Sequence, residues 1–239
     1  MNKTNLLNAF LLTTLMSINC FALEQELHVY TEELPPFQTI KNNQMTGAVS
    51  EKVQRILTAA QLTPHINIVP WARAYNLARS TPNTLIYSMH RTKEREPFFH
   101  WLAVVLEIKN GFVAVKSRQI KLATIENAKT YVTAVVRGSF AHEYLTSEGF
   151  SENNNLLVVD SRESQFKLLM SQKVDFLFLD LNVVQHKLRE NNQSPLLVEH
   201  VLTQPKWVEQ LYLAINKNSS PKIITRLNNA VQKINTENQ

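Results

Sequence analysis

The stretch SMHRTKEREPFFHW, Ser88 to Trp101, packs five formal charges ahead of an abrupt aromatic run. An arginine there is either a solvated member of a surface charge run or a planar fork matched to an anionic ligand group. The residues before it place the run at a strand end, because Leu85, Ile86 and Tyr87 form a short apolar stretch straight after Pro82 and Asn83. In open α/β sheets that carboxyl end is where a crevice is left for ligands. Other chemistry is poorly supplied. The 7 histidines occur singly, without His-x-x-x-His or His-Glu-x-x-His spacing, so no metal site is expected. No Gly-x-Ser-x-Gly elbow is present for a hydrolase. Glu32 and Glu33, at the end of the first strand, are candidates for a general acid, and equally for surface charge.

The elements that would hold these residues repeat as strand, turn, helix. LHVYTEELPPF opens with a strand closed by Pro35-Pro36. In TGAVSEKVQRILTAAQL, residues Val49, Val53, Ile56, Leu57 and Ala60 share one helical face. HINIVP reads as a strand, WARAYNLARS as a helix and TLIYS as a third strand, giving β-α-β-α-β and hence parallel pairing. A second set starts near Gly111: strands GFVAVKS, YVTAVVRGS, NLLVVDS and KVDFLFLD, with helices FAHEYLTSEGF, ESQFKLLMSQ and LNVVQHKLREN between and after them. Gly149 suits a helix carboxyl cap, and Asp160-Ser161 a helix start. The strand QLYLAINK and a helix opening on Ser220 and Pro221 complete the chain.

The amino terminus carries Lys3, an apolar core from Leu6 to Met16 and a Cys-Phe-Ala triplet before Glu24, the layout of a secretory signal peptide cleaved after Ala22. That core is shorter than the roughly 20 residues a membrane span needs. Lipidation at Cys20 is disfavoured by the bulky Asn19 before it. Cleavage removes the one cysteine, which excludes disulfides and thiolate chemistry from the mature chain. With 44% hydrophobic residues the chain can build one or two ordinary domains. The formal charge of +5 falls by one when Lys3 leaves, and basic residues are scattered among acidic ones, which argues against nucleic acid as a partner.

In this order, YTEELPPF, Thr46-Gly47, TKER followed by Phe98, VVRGS, VDFLFLD and LYLAINK resemble the family 3 periplasmic solute-binding proteins, receptors for polar amino acids in bacterial ABC importers, over nearly the whole mature chain. The resemblance implies an α/β, two-lobed periplasmic-binding-protein-like (type II) fold, with two parallel-rich sheets joined by two crossing strands. It divides the chain into a signal peptide (1–22), lobe 1 (23–112 plus 214–239) and lobe 2 (113–213). It implies a periplasmic monomer without cofactor that closes on a small polar solute, an amino acid or related zwitterion or anion, for an ABC permease. A sensory module reporting to a membrane partner is the alternative, and a dehydratase-type enzyme on the same scaffold a lesser one.

By the same resemblance Arg95 forks onto a ligand carboxylate, the Gly138-Ser139 turn offers it backbone amides, Asp180 receives an ammonium and Phe37 forms an aromatic wall. Elementary chemistry is compatible: a helix start favours anions, and Asp180 stands where the apolar run Phe176 to Leu179 leaves the core. Read alone, Asp180 is equally a helix cap and Gly138 only a turn. Ser88 joins the expected ligand contacts, as does Trp71, taken from Trp71, Tyr75 and Trp101 as the aromatic of the cleft. The sequence departs from amino-acid receptors at His90-Arg91, where bulk and charge replace a small hydroxyl residue. The PWARAY segment, Pro70 to Tyr75, is similar to a branch of the family that often stands apart from transporter operons.

Overall fold

The computed structural model describes residues 26–41 and 44–237. The expected signal peptide, its cleavage point and Cys20 lie outside the described residues. Among these no helix is long and apolar enough to cross a membrane.

The first half follows the expected order. Strand β1 (His28–Thr31) leads through a small hairpin, β2 (Thr39–Lys41) and β3 (Gln44–Thr46), into helix α1 (Ala48–Ala59). Its buried face, Val49, Val53, Ile56 and Leu57, is the apolar stripe read from the sequence. Strand β4 (Ile66–Ile68), helix α2 (Trp71–Ser80) and strand β5 (Thr84–His90) follow, and β4, β1 and β5 pair in parallel. Strand β5 does not leave the sheet at Ser88, as the sequence suggested. Ser88 has φ +59°, yet the ladder continues to His90, which lies opposite Leu211.

Two strands are much longer than their apolar cores suggest. Strand β6 runs Phe99–Val115 and β10 runs Val198–Asn216, paired antiparallel at the centre of the sheet order β4-β1-β5-β10-β6-β9-β7-β8, in which β7 is Thr133–Val136, β8 Leu156–Val159 and β9 Phe176–Asp180. The sequence reading began them near Gly111 and Gln210. The earlier residues were missed because they cross from one half of the molecule to the other and are mostly half-buried, with charged side chains such as Glu107 and Lys109 interrupting any period-two pattern. One end of β10 pairs with β5 through Leu211–Ile215, and one end of β6 pairs with β9 through Asn110–Val113. The passage between halves therefore falls where register shifts, between Thr203 and Val208 on β10, opposite Gly111 and Lys109 on β6. Gly111 is required there: a Cβ would stand 2.7 Å from the Leu202 carbonyl oxygen and 2.8 Å from Thr203 Cγ2.

The second half contains the short helix α3 (Ile125–Ala128), strand β7 (Thr133–Val136), helix α4 (Phe140–Ser147), strand β8 (Leu156–Val159), helix α5 (Arg162–Met170), strand β9 (Phe176–Asp180) and helix α6 (Leu181–Glu190). Strands β9, β7 and β8 form the second parallel trio. Its core is aromatic, with Phe112, Phe176, Phe178 and Trp207 in edge-to-face contact. The final helix α7 (Pro221–Glu237) returns to the first half and packs on α1.

Candidate functional site

Loops at the carboxyl ends of both parallel trios face each other, and side-chain contacts join them. Trp71, at the start of α2, donates from Nε1 to the Gly138 carbonyl at 2.7 Å. Arg95, in the loop after β5, reaches Glu143 on α4 with Nη2 2.9 and 3.0 Å from its two carboxylate oxygens. Arg162, in the first turn of α5, meets Glu32 beyond β1 at 2.6 Å. His90 also stacks on Phe140 across the divide, with ring centroids 4.2 Å apart. Burial pushes the His90 imidazole below its usual range, and its Nε2 lies 3.0 Å from a Glu209 carboxylate oxygen.

Between the halves lie two neighbouring compartments. The smaller, of about 30 Å³, is bordered by Ser88, His90, Ser139, Phe140 and Asp180. That is room for a water molecule or two. The larger, of about 240 Å³, lies between Glu32, Val69 and Trp71 on one side and Arg162, Gln165, Phe166, Leu179 and Val183 on the other. Glu32, Trp71 and Arg162 border both, so the Glu32–Arg162 ion pair stands at their junction.

The residues singled out in the sequence divide between these places. Arg95 lines neither compartment. Its side chain is wholly buried, packed over Trp71 and Tyr75 at 5.4 and 5.1 Å; Nη2 meets both Glu143 oxygens and the Gly138 carbonyl at 3.3 Å, Nη1 donates to the His90 carbonyl at 3.2 Å, and Nε has no partner. Asp180 borders the smaller compartment, but both oxygens are engaged: Oδ2 accepts from the Lys109 amide and Oδ1 from the Asn182 amide, each at 2.8 Å. The turn is similarly self-satisfied. Gly138 has φ +64°, a conformation glycine adopts without strain, and its amide donates to His142 Nδ1 at 3.1 Å. The Ser139 amide donates to Val136, and its hydroxyl caps α4 by accepting from the His142 amide at 3.2 Å. Ser88 donates to Gln38 at 2.6 Å within a buried network that also holds Thr31. Phe37 lies away from both compartments, packed on the main core, while its carbonyl accepts from the Val49 amide. Trp71 alone of the seven borders both compartments.

Arg91 is half-exposed and pairs with Glu96, with its guanidinium over the Trp101 ring at 5.5 Å. The charged stretch is thus solvated at Arg91 and structural at Arg95. Arg162 and Gln165 were not singled out. Their only signal was position: they follow the Asp160-Ser161 helix start directly after β8, on the first turn of a helix whose amino end faces the divide.

No protein-family profile matches the sequence, and no curated protein matches it. Solved structures do. A histidine kinase sensor domain described as similar to periplasmic binding proteins superposes with a TM-score of 0.77 at 15% identity, covering 90% of this chain and 92% of that one. An ancestral arginine-binding protein bound to arginine gives a TM-score of 0.75 at 18% identity, covering 89% and 93%. The arginine-, lysine-, histidine-binding protein ArtJ from Geobacillus stearothermophilus gives 0.74 at 15% identity, covering 89% and 90%. The chain has the α/β, two-lobed fold of periplasmic binding proteins.

Proposed function

We propose that this protein captures a small solute between its two lobes and closes over it by bending at the crossing strands. The observation that carries this is the roughly 240 Å³ compartment, walled by both halves and bridged at its edge by the Glu32–Arg162 pair. Ligand sites of this kind are concave, mostly apolar and set between domains. We take the lobes as residues 23–112 with 214–239, and 113–213. Closure about a hinge follows from two strands being the covalent link at the divide. The structural neighbours named as binding proteins support a binding role in place of catalysis, and the candidate acid Glu32 is held in an ion pair. Export to the periplasm and a membrane partner belong to the same proposal.

Delivery to an importer is one use of such a clamp. Signalling is the second, favoured by the likeness to a histidine kinase sensor domain. The common step is tested by a thermal-shift screen over amino acids, amides, polyamines and organic acids, followed by small-angle scattering. A solute at 100 times its Kd stabilises the protein by about 2.7 kcal/mol. Stabilisation together with a smaller scattering radius supports capture with closure, whereas stabilisation with an unchanged radius argues for a rigid site or a clamp already closed. A panel that leaves the melting temperature unmoved throughout argues against it.

A further inference from the structure

We infer that Glu143 is a built-in carboxylate for Arg95: an autoinhibitory contact that joins the lobes and shuts free carboxylates, amino acids included, out of the guanidinium it covers. The inference goes beyond the solute-capture reading, because it concerns what holds the divide together and which ligands are kept from Arg95. Arg95 is positioned by its own lobe. Trp71 and Tyr75 lie 5.4 and 5.1 Å from its guanidinium, and Nη1 donates to the His90 carbonyl at 3.2 Å. Nη2 takes its partners from the other lobe, meeting the two Glu143 oxygens at 2.9 and 3.0 Å and the Gly138 carbonyl at 3.3 Å.

The two members of the pair are unequal. The Arg95 side chain is 0% exposed and that of Glu143 40%, so the contact is open to solvent at the carboxylate and sealed at the guanidinium. Glu143 stands in the first turn of α4, where the helix amino end favours its charge. Trp71 donates to the same Gly138 carbonyl at 2.7 Å, so two donors of lobe 1 converge on one turn of lobe 2 and bring Glu143 over Arg95. Parting the lobes would remove every Nη2 acceptor together, while the two aromatic faces and the His90 carbonyl stay with Arg95. What remains is a guanidinium already oriented for a carboxylate, the partner with which it makes its strong, charge-assisted contacts. Glu143 is tethered next to that position and acts at a high effective concentration, so a carboxylate from solution has to displace it.

The test is chemical rescue by acetate, which matches the part of the side chain that Glu143→Ala deletes. Melting temperatures are read near neutral pH for the parent, Glu143→Ala and the double variant Glu143→Ala/Arg95→Met. Each is measured in about 100 mM sodium acetate and in sodium chloride of equal ionic strength, a concentration that fills even a weak site by mass action. Beyond any shift common to all three, which is a general salt effect, acetate is expected to recover at least half of the melting temperature lost by Glu143→Ala and to leave the other two at their chloride values. Calorimetric titration is expected to give acetate at least a tenfold higher affinity for Glu143→Ala than for the parent, with glycine following the same order. Glu143→Gln, which keeps the shape and removes the charge, replaces Glu143→Ala if that variant does not fold, and is expected to respond in the same direction. Equal acetate responses in the parent and the single variant, a response that survives Arg95→Met, or no response in the single variant each overturn the inference. Solute capture is decided by the separate compound screen and is untouched by any of these results.

Discussion

Glu143→Ala should open the clamp more than any change to Arg95 itself. The Arg95 guanidinium is wholly buried, whereas the Glu143 side chain is 40% exposed, so the pair is asymmetric. Removing the carboxylate leaves a buried cation with only the His90 and Gly138 carbonyls, at 3.2 and 3.3 Å, and two aromatic faces. Breaking a buried pair in this way typically costs about 3–5 kcal/mol. Because Glu143 is partly screened by water, a figure of about 2 kcal/mol is appropriate, or roughly a 30-fold shift toward an open form in which Arg95 is hydrated. Arg95→Met removes the cation instead and leaves Glu143 free to meet water, at the cost of cation–π contacts worth about 0.5–2 kcal/mol. Spin labels at the exposed positions Arg55 and Lys173, one on each lobe and with Cys20 replaced, would report the inter-lobe distance. The expected order of opening is Glu143→Ala, then Arg95→Met, then the parent, with lowered melting temperatures for both variants. If Glu143→Ala keeps the parent distance and melting temperature, the pair is energetically silent and the reasoning fails.

Acid should loosen the same interface through His90. Its pKa is depressed, first by burial and also by Arg95 and Arg162 against the opposing pull of Glu209, so its contribution is present above the unfolded value near 6.5 and is lost as pH falls through the folded one. Spin-label distances at about pH 7.5 and about pH 5.5 should differ in the parent and differ less in His90→Asn; equal responses would count against this. Burial pushes the Tyr87 phenol up to about 12, over the opposing Ser50 hydrogen bond. The unfolded chain then ionises first, and up to about 3 kcal/mol of stability, present below pH 10, is lost between about pH 10 and 12. Denaturant titrations of Tyr87→Phe should show a flatter fall in that window, and an identical slope would contradict it. Gly111→Ala should destabilise by about 1–3 kcal/mol, because its Cβ would press to 2.7 Å from the Leu202 carbonyl oxygen at the crossing; an unchanged melting temperature would show that the strands part freely there.

What the sequence determined by itself was the set of locally encoded elements. The α1 stripe, the apolar strands at Leu85 and Phe176, the Ser161 cap and Pro221 at the start of the last helix each depend on neighbours within a turn or two, and each appears where its pattern lies. Their alternation carries the two-lobed α/β order with it. Only the tertiary structure decided the length of β6 and β10, because a strand that passes between two cores is half-buried along its middle and loses the alternation that marks a strand. Only the tertiary structure decided the fate of Arg95. Whether a guanidinium faces a ligand or a carboxylate depends on what stands opposite, and Glu143 lies far away in sequence on a helix that reads as ordinary surface. The same holds for Arg162 and Gln165. Their residue types are common on helices, and it is the approach of Glu32 and Trp71 from the other lobe that encloses them, removes water from their polar atoms and turns two unremarkable side chains into the lining of a compartment.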